Sequence, residues 1–242
     1  MLRTVFFFAR FSLNLVSTIY TAYRYKELGK AGKLEEQREF LFQSAEAWGK
    51  YLVEKTGSTV NIQGNENIPE GACLFISNHQ SNFDIPILSG YLDKPIGFIA
   101  KKELGKVPIL SEWMKRVHCV FLDRQNPRQA IKVLAEAANI LKKGNSLVIF
   151  PEGTRSKGME MLEFKKGSLR VAEKAGVPIV PVTISGSYKI FEENGNRIRP
   201  AQVNVIVDKP IYLDQLSDEE KDQLLEKLKE QFQHNLDMLS IL

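Results

Sequence analysis

From Gly57 onward, short apolar runs alternate with longer amphipathic stretches, and this alternation limits the folds open to the chain more than any other feature. The apolar runs have the length of buried β-strands, and the stretches between them have the apolar spacing of α-helices. Strands that alternate with helices form a mostly parallel or mixed sheet flanked by helices. We therefore predict an α/β fold with strands at residues 59–62, 72–76, 96–100, 119–122, 146–150, 179–184 and 203–207.

Helices are predicted between these strands and after the last of them, at residues 85–91, 109–116, 127–142, 168–175 and 217–236. The chain has 242 residues, which is enough for one such domain and an added element. We predict two parts: an N-terminal two-helix membrane anchor at residues 1–56 and the α/β domain at residues 57–242.

The N-terminal part is rich in apolar and aromatic residues, but arginines interrupt it. Only 13 residues separate Arg10 from Arg24, fewer than the roughly 20 that a spanning helix needs. Tyrosines beside Arg24 and Lys26 are typical of a membrane interface. We interpret the two helices as a monotopic hairpin that lies in one leaflet. A hairpin packed on the domain and a single spanning helix remain alternatives.

Composition and charge exclude several kinds of site. The net charge of +4 is a weak indication of an anionic membrane surface or an acidic partner, and we expect no nucleic-acid partner. Cys73 and Cys119 both fall in apolar runs, so we interpret them as small buried side chains. The three histidines and two cysteines form no H-E-x-x-H or C-x-x-C pattern, and we predict a site without a metal.

Residues 77–84, with the sequence Ser-Asn-His-Gln-Ser-Asn-Phe-Asp, lie where a predicted strand ends and a predicted helix begins. Ligand sites of α/β proteins commonly lie at such junctions. A histidine side chain exchanges a proton near neutral pH, and a carboxylate can orient it. Side chains five apart in one helix point roughly 140° apart, so His79 must lie on the loop to meet Asp84. Asp84 as a simple helix N-cap is the alternative.

Three further strand ends carry basic side chains. Residues 150–156, Phe-Pro-Glu-Gly-Thr-Arg-Ser, form a turn in which Arg155 offers a planar fork suited to phosphate. An ion pair between Glu152 and Arg155 is the plainer interpretation of that turn. Lys101 and Arg124 each follow another predicted strand. Strand ends in one sheet share an edge, so these residues would form a positive pocket beside His79.

These segments resemble the motifs of the glycerolipid acyltransferases. Residues 78–84 match their H-x4-D motif, and residues 121–124, 150–156 and 177–182 resemble their second, third and fourth motifs, in the family's order. A glycine often precedes the apolar run of the second motif, where this chain has His118 and Cys119.

The resemblance implies a role for each candidate residue. It implies that His79 is the catalytic base and that Asp84 orients it. It implies that Arg124 and the turn Glu152, Gly153, Thr154 and Arg155 bind the phosphate of the acceptor, and that Lys101 is a candidate for holding the thioester oxygen.

From the resemblance we expect an enzyme that transfers an acyl chain to the sn-2 hydroxyl of lysophosphatidic acid at the cytoplasmic face of the membrane, giving phosphatidic acid. The donor would be acyl-carrier protein or acyl-CoA as co-substrate, with no cofactor. Another acceptor, such as glycerol 3-phosphate or another lysophospholipid, is the first alternative. A hydrolase with Ser81 as nucleophile and a non-catalytic membrane-binding protein are the others.

Overall fold

The computed structural model describes residues 1–123 and 126–240, and within these the chain forms seven α-helices and seven β-strands. The helices are α1 (Leu2–Lys30), α2 (Leu34–Thr56), α3 (Asp84–Tyr91), α4 (Leu110–Arg116), α5 (Pro127–Lys142), α6 (Leu169–Ala175) and α7 (Asp218–Ser240). The strands are β1 (Thr59–Gln63), β2 (Leu74–Ser77), β3 (Ile96–Lys101), β4 (Val120–Leu122), β5 (Ser146–Ile149), β6 (Ile179–Ser185) and β7 (Gln202–Val207). Every predicted strand and helix is present, with bounds that differ by a few residues.

The seven strands form one sheet in the order β1-β7-β6-β2-β5-β3-β4. Neighbouring strands are parallel, except that β6 and β7 are antiparallel. The central strands β2, β5 and β6 are buried along their whole length. Burial on both faces explains why their sequences are continuous apolar runs. The prediction of a mixed sheet flanked by helices is confirmed.

Helices cover both faces of the sheet and create two cores. On one face, Phe75 and Val148 of the sheet pack with Leu52 of α2 and Ile87 of α3. On the other face, the sheet packs against side chains of α5, α6 and α7, which include Ala137, Val171 and Phe232. The carboxyl ends of β2, β3 and β5 all lie at one edge of the sheet because these strands are parallel.

Helices α2 and α3 cross at two glycines. A Cβ atom on Gly49 would lie 2.4 Å from the carbonyl oxygen of Pro86 and 2.6 Å from the backbone nitrogen of Gly90. A Cβ on Gly90 would lie 2.6 Å from the backbone nitrogen of Lys50. The two backbones therefore touch, and α2 is packed directly on the helix that begins with Asp84. The proposed division of the chain after residue 56 stays a prediction.

Helix α1 exposes most of its apolar side chains. By length and composition it could cross a membrane, and only 11% of its most apolar 18-residue window is buried. The exposed large side chains of α1 are Leu2, Val5, Phe6, Phe8, Leu13, Val16, Ile19, Tyr20 and Tyr23. Most of them recur every three or four positions, so they form one stripe along the helix.

Both cysteines are free and buried, which agrees with their interpretation as small apolar side chains. Burial raises the pKa of Cys73 to about 11 and that of Cys119 to about 12. Because the thiolate is the reactive form of cysteine, neither side chain is suited to act as a nucleophile near neutral pH.

Candidate active site

The loops that follow β2 and β5 meet at the carboxyl edge of the sheet. The backbone N–H of His79 donates to Oε1 of Glu152 at 2.6 Å, and the backbone N–H of Ser156 donates to the carbonyl of His79 at 2.8 Å. Asn78 joins the first loop to β6, because its side-chain amide exchanges two hydrogen bonds with the backbone of Ile184, at 2.9 and 2.8 Å. The loop that carries His79 is therefore held from both sides.

His79 and Asp84 are in direct contact. Nδ1 of His79 lies 2.7 Å from Oδ2 of Asp84, and the Asp84 side chain is fully buried. The same oxygen accepts the backbone N–H groups of Gln80 and Ser81, at 2.8 and 2.9 Å. Its other oxygen, Oδ1, accepts the hydroxyl of Ser187 at 2.5 Å. The contact required by the motif is present in the structure.

The carboxylate of Asp84 points back into the loop and does not cap α3. Asp84 is the first residue of the helix, and the preceding Phe83 makes no side-chain cap hydrogen bond. An N-cap side chain accepts an N–H group from further along the helix, whereas Asp84 accepts N–H groups from residues that precede it. Among the two interpretations of Asp84, the geometry supports the one that orients His79.

The contact with Asp84 decides which ring nitrogen of His79 is available. An ionised carboxylate only accepts hydrogen bonds, so Nδ1 carries the proton in the neutral ring and Nε2 is left with a free lone pair. The ring of Phe150 stacks on the imidazole with centroids 4.0 Å apart and planes inclined by 14°. The imidazole is thus fixed by a hydrogen bond at one edge and by an aromatic face.

The turn after β5 has a structural carboxylate and an exposed tip. Glu152 is buried, and its two oxygens accept the backbone N–H groups of His79 and of Leu162, the latter at 2.9 Å. Burial raises the pKa of this carboxyl. Gly153 has φ 70°, a left-handed conformation that favours glycine, and Thr154 is exposed. The carboxylate of Glu152 therefore joins two loops. A role of this residue in phosphate binding stays a prediction.

Arg155 has a different partner from the one considered in the sequence. Its Nη1 lies 2.7 Å from Oε1 of Glu192, a residue 37 positions further along the chain, and not beside Glu152. The expected alternative of a Glu152–Arg155 ion pair is therefore wrong, because Glu152 is engaged by backbone N–H groups of two loops.

The other basic candidates are less constrained. Lys101 ends β3 at the same edge of the sheet, with an exposed side chain whose Nζ is 3.6 Å from Oε2 of Glu103. Arg124 lies outside the residues that the structure describes. Across residues 1–123 and 126–240, no group of three or more His, Cys, Asp or Glu side chains is placed to hold a metal ion.

The hydroxyl of Ser81 is fully buried and hydrogen-bonded. It donates to Oε2 of Glu192 at 2.6 Å and accepts the backbone N–H of Phe83 at 3.0 Å. A serine nucleophile needs a hydroxyl that is open to substrate and bonded to its base. This geometry does not support Ser81 as a nucleophile.

Two residues of this site were not predicted from the sequence. Ser187 and Glu192 follow β6, in and just after a short 3-10 helix at Ser187–Ile190. The one available signal was their position after the strand end of the fourth motif, a place where site residues collect. At the second motif, where a glycine often precedes the apolar run, His118 has φ 61° and so adopts the left-handed backbone that glycine favours.

Comparisons with known proteins identify the family of this chain. The family model described as Acyltransferase matches residues 59–185. A chloroplastic 1-acyl-sn-glycerol-3-phosphate acyltransferase of Brassica napus is 36% identical over 198 residues, which cover 79% of this chain and 57% of that protein. A probable enzyme of the same name from Mycoplasma pneumoniae is 37% identical over 198 residues, covering 80% of this chain and 72% of that protein. The chain thus spans little more than half the length of the Brassica relative.

A solved structure covers nearly the whole chain. The crystal structure of the 1-acyl-sn-glycerophosphate (LPA) acyltransferase PlsC from Thermotoga maritima superposes with a TM-score of 0.88 and is 31% identical in sequence. The match covers 99% of this chain and 95% of the Thermotoga chain, so it includes the N-terminal helices. The chain belongs to the acyltransferase family.

Proposed function

We propose that this protein transfers an acyl group from an acyl thioester to the sn-2 hydroxyl of lysophosphatidic acid and so forms phosphatidic acid. The observation that carries the proposal is the contact of 2.7 Å between Nδ1 of His79 and the buried carboxylate of Asp84 at the sheet edge. Relatives named as 1-acyl-sn-glycerol-3-phosphate acyltransferases support the choice of reaction and acceptor.

In this reaction Nε2 of His79 takes the proton of the acceptor hydroxyl as its oxygen attacks the thioester carbonyl. A C–O bond forms, and the carbonyl oxygen gains negative charge in a tetrahedral intermediate. The C–S bond then breaks, and the thiolate takes the proton from the imidazolium. Asp84 stabilises the imidazolium and keeps Nδ1 as the protonated nitrogen. No acyl-enzyme is required, which fits the buried, hydrogen-bonded hydroxyl of Ser81.

The phosphate of the acceptor is assigned to the turn after β5. Arg155 keeps part of its side chain exposed, at 30%, and a guanidinium has five N–H donors, so its contact with Glu192 leaves donors for a phosphate. Gly153 and Thr154 would add a close backbone approach and a hydroxyl, and Arg124 a second guanidinium. Lys101, exposed at the end of β3, is the candidate for the thioester oxygen.

The proposed location is the cytoplasmic face of the membrane. The apolar stripe of α1 has the exposure of a surface that contacts lipid, and Arg3 and Arg10 lie on the same helix. A helix lying in one leaflet would bring the sheet edge to the lipid surface, where both acyl chains reside. The packing of α2 on α3 would then hold the active site against that surface.

The test is an assay of the purified protein in mixed vesicles with a matrix of donors and acceptors. Acyl-CoA and acyl-carrier protein are each combined with lysophosphatidic acid, glycerol 3-phosphate or lysophosphatidylcholine, and both thiol release and lipid product are measured. We expect phosphatidic acid, and a loss of about 10²- to 10⁴-fold in rate for His79→Ala. Near-normal turnover by a folded His79→Ala variant, or no product from lysophosphatidic acid, would overturn the proposal.

A further inference from the structure

Glu192 lies outside the matched family region and outside the four motifs, yet its carboxylate joins two of them. Its side chain is only 3% exposed. Oε2 accepts the hydroxyl of Ser81 at 2.6 Å, and Oε1 accepts the backbone N–H of Asn82 at 3.0 Å. The same Oε1 accepts Nη1 of Arg155 at 2.7 Å. One buried carboxylate thus contacts both the loop of His79 and the turn of Arg155.

We propose that Glu192 is a positioning residue that fixes the guanidinium of Arg155 relative to His79 and thereby sets the affinity for the acceptor phosphate. This inference rests on the proposed function of the same site. An arginine side chain has many rotamers, and ordering it on binding costs free energy. A phosphate therefore binds more tightly to a guanidinium whose fork is already oriented. Glu192 holds Nη1 and leaves the other donors of the fork open to a ligand.

The segment around Glu192 is itself held in place. The neighbouring Phe191 packs against Phe83, with ring centroids 6.4 Å apart, and against Phe8 of α1, at 6.1 Å. The backbone N–H of Asn196 donates to the carbonyl of Phe191 at 3.0 Å. Glu192 therefore extends from a segment that is packed between the His79 loop and the N-terminal helix.

The charge and the hydrogen bonds of Glu192 determine which substitutions test its role. A buried carboxylate is unfavourable unless it is paired, and here Arg155 supplies the positive charge. Removing only the charge of Glu192 would keep a hydrogen-bond acceptor for Arg155 and for Asn82. The side chain of glutamine has this shape, and its NH₂ group can donate to Ser81 Oγ. Glu192→Gln is therefore the conservative variant, and Glu192→Ala removes every contact.

The first measurement is steady-state kinetics of acyl transfer with varied lysophosphatidic acid. We expect Glu192→Ala to raise KM for this acceptor about 10- to 100-fold, the change that corresponds to the free energy of one hydrogen bond to a charged group. KM for the donor should stay unchanged. Glu192→Gln should recover most of that loss. The matched control is Glu193→Ala, an exposed glutamate next in the chain, which should leave both KM values unchanged.

A double variant separates positioning from simple folding. If Glu192 acts through Arg155, then Glu192→Ala should add almost nothing to the KM effect of Arg155→Ala. Additive effects of the two substitutions, or an unchanged acceptor KM in Glu192→Ala, would overturn the inference.

A second measurement does not depend on activity. Phenylglyoxal modifies accessible guanidinium groups, and peptide mass spectrometry gives the modification rate of Arg155 alone. We expect Glu192→Ala to increase that rate several-fold over wild type, while Glu193→Ala does not. An unchanged rate would show that Glu192 does not restrain Arg155, whereas a wild-type protein that forms no phosphatidic acid would instead refute the proposed function.

Discussion

The hydroxyl of Ser187 donates a hydrogen bond of 2.5 Å to Oδ1 of Asp84, although 103 positions separate the two residues in the chain. Both side chains are fully buried. Asp84 therefore receives donors from two sides: two backbone N–H groups of its own loop on Oδ2 and a hydroxyl from the segment after β6 on Oδ1. Its orientation toward His79 depends on both segments.

Replacing Ser187 by alanine should lower kcat while leaving the acceptor KM nearly unchanged. The substitution removes one of the hydrogen bonds that hold the Asp84 carboxylate, a loss of about 1.5–3 kcal/mol that corresponds to roughly 10- to 100-fold in rate if it is expressed in the transition state. Stopped assays with varied acceptor measure both constants.

Ser217→Ala is the matched control for Ser187→Ala. The hydroxyl of Ser217 accepts the backbone N–H of Glu220 at the start of α7, so its loss should lower Tm without lowering kcat. If Ser187→Ala keeps the wild-type kcat, the two backbone N–H groups alone are enough to hold Asp84.

Replacing Gly49 by alanine should separate α2 from α3. The new Cβ would lie 2.4 Å from a backbone oxygen, which cannot rotate away as a side chain can. Overpacking of this kind costs about 1–3 kcal/mol, and the shift of α3 should also reduce activity because α3 begins with Asp84. Thermal unfolding in detergent, followed by tryptophan fluorescence, measures the change in Tm.

Gly71→Ala serves as the control for Gly49→Ala, since a Cβ on Gly71 meets nothing within 4 Å. It should leave Tm and turnover close to wild type. Equal losses in both variants would mean that the contact between α2 and α3 is not the cause.

The pH dependence of stability should report the buried carboxyl of Glu152. Burial raises its pKa in the folded state above the ordinary value of 4.5. Between those two values the folded protein binds this proton more readily than the unfolded chain does. The contribution of Glu152 to the free energy of unfolding is therefore greatest below 4.5 and decreases as pH rises through the folded-state pKa.

Glu152→Gln removes this titration but keeps the size of the side chain. We expect the difference in Tm, wild type minus Glu152→Gln, to decrease as the pH is raised from about 4.5 toward neutral. Melting curves of both proteins at matched ionic strength test it. A difference that increases with pH would show that the carboxylate is stabilised in the fold more than burial penalises it.

A charge placed in the apolar stripe of α1 should weaken binding to lipid. Leu13 is 71% exposed, and burial of a leucine side chain in an apolar phase is worth about 1.5–3 kcal/mol. We expect Leu13→Glu to reduce the partition coefficient into vesicles of phosphatidylethanolamine and phosphatidylglycerol about tenfold or more. Co-sedimentation over a range of lipid concentrations gives that coefficient.

Gln233→Glu adds the same charge to an exposed position of α7 and should leave vesicle binding unchanged. If Leu13→Glu binds vesicles as wild type does, the exposed stripe of α1 is not the lipid-binding surface.

The local features of this protein were determined by its sequence. Strands β2, β5 and β6 are buried on both faces, so each is a continuous apolar run that can be recognised without knowing its neighbours. The spacing of His79 and Asp84 also restricts their contact to a loop followed by a helix, and the structure has that arrangement.

Only the tertiary structure decided which side chains of the candidate site contact each other across distant segments of the chain. Arg155 pairs with Glu192 and not with the nearby Glu152, and Asp84 accepts a hydroxyl from Ser187. These contacts join segments that are distant in the chain, and they arise only because β2, β5 and β6 are neighbours in the sheet. Periodicity and motif spacing describe a segment and its immediate surroundings, whereas the order of strands depends on how all the apolar faces are buried together.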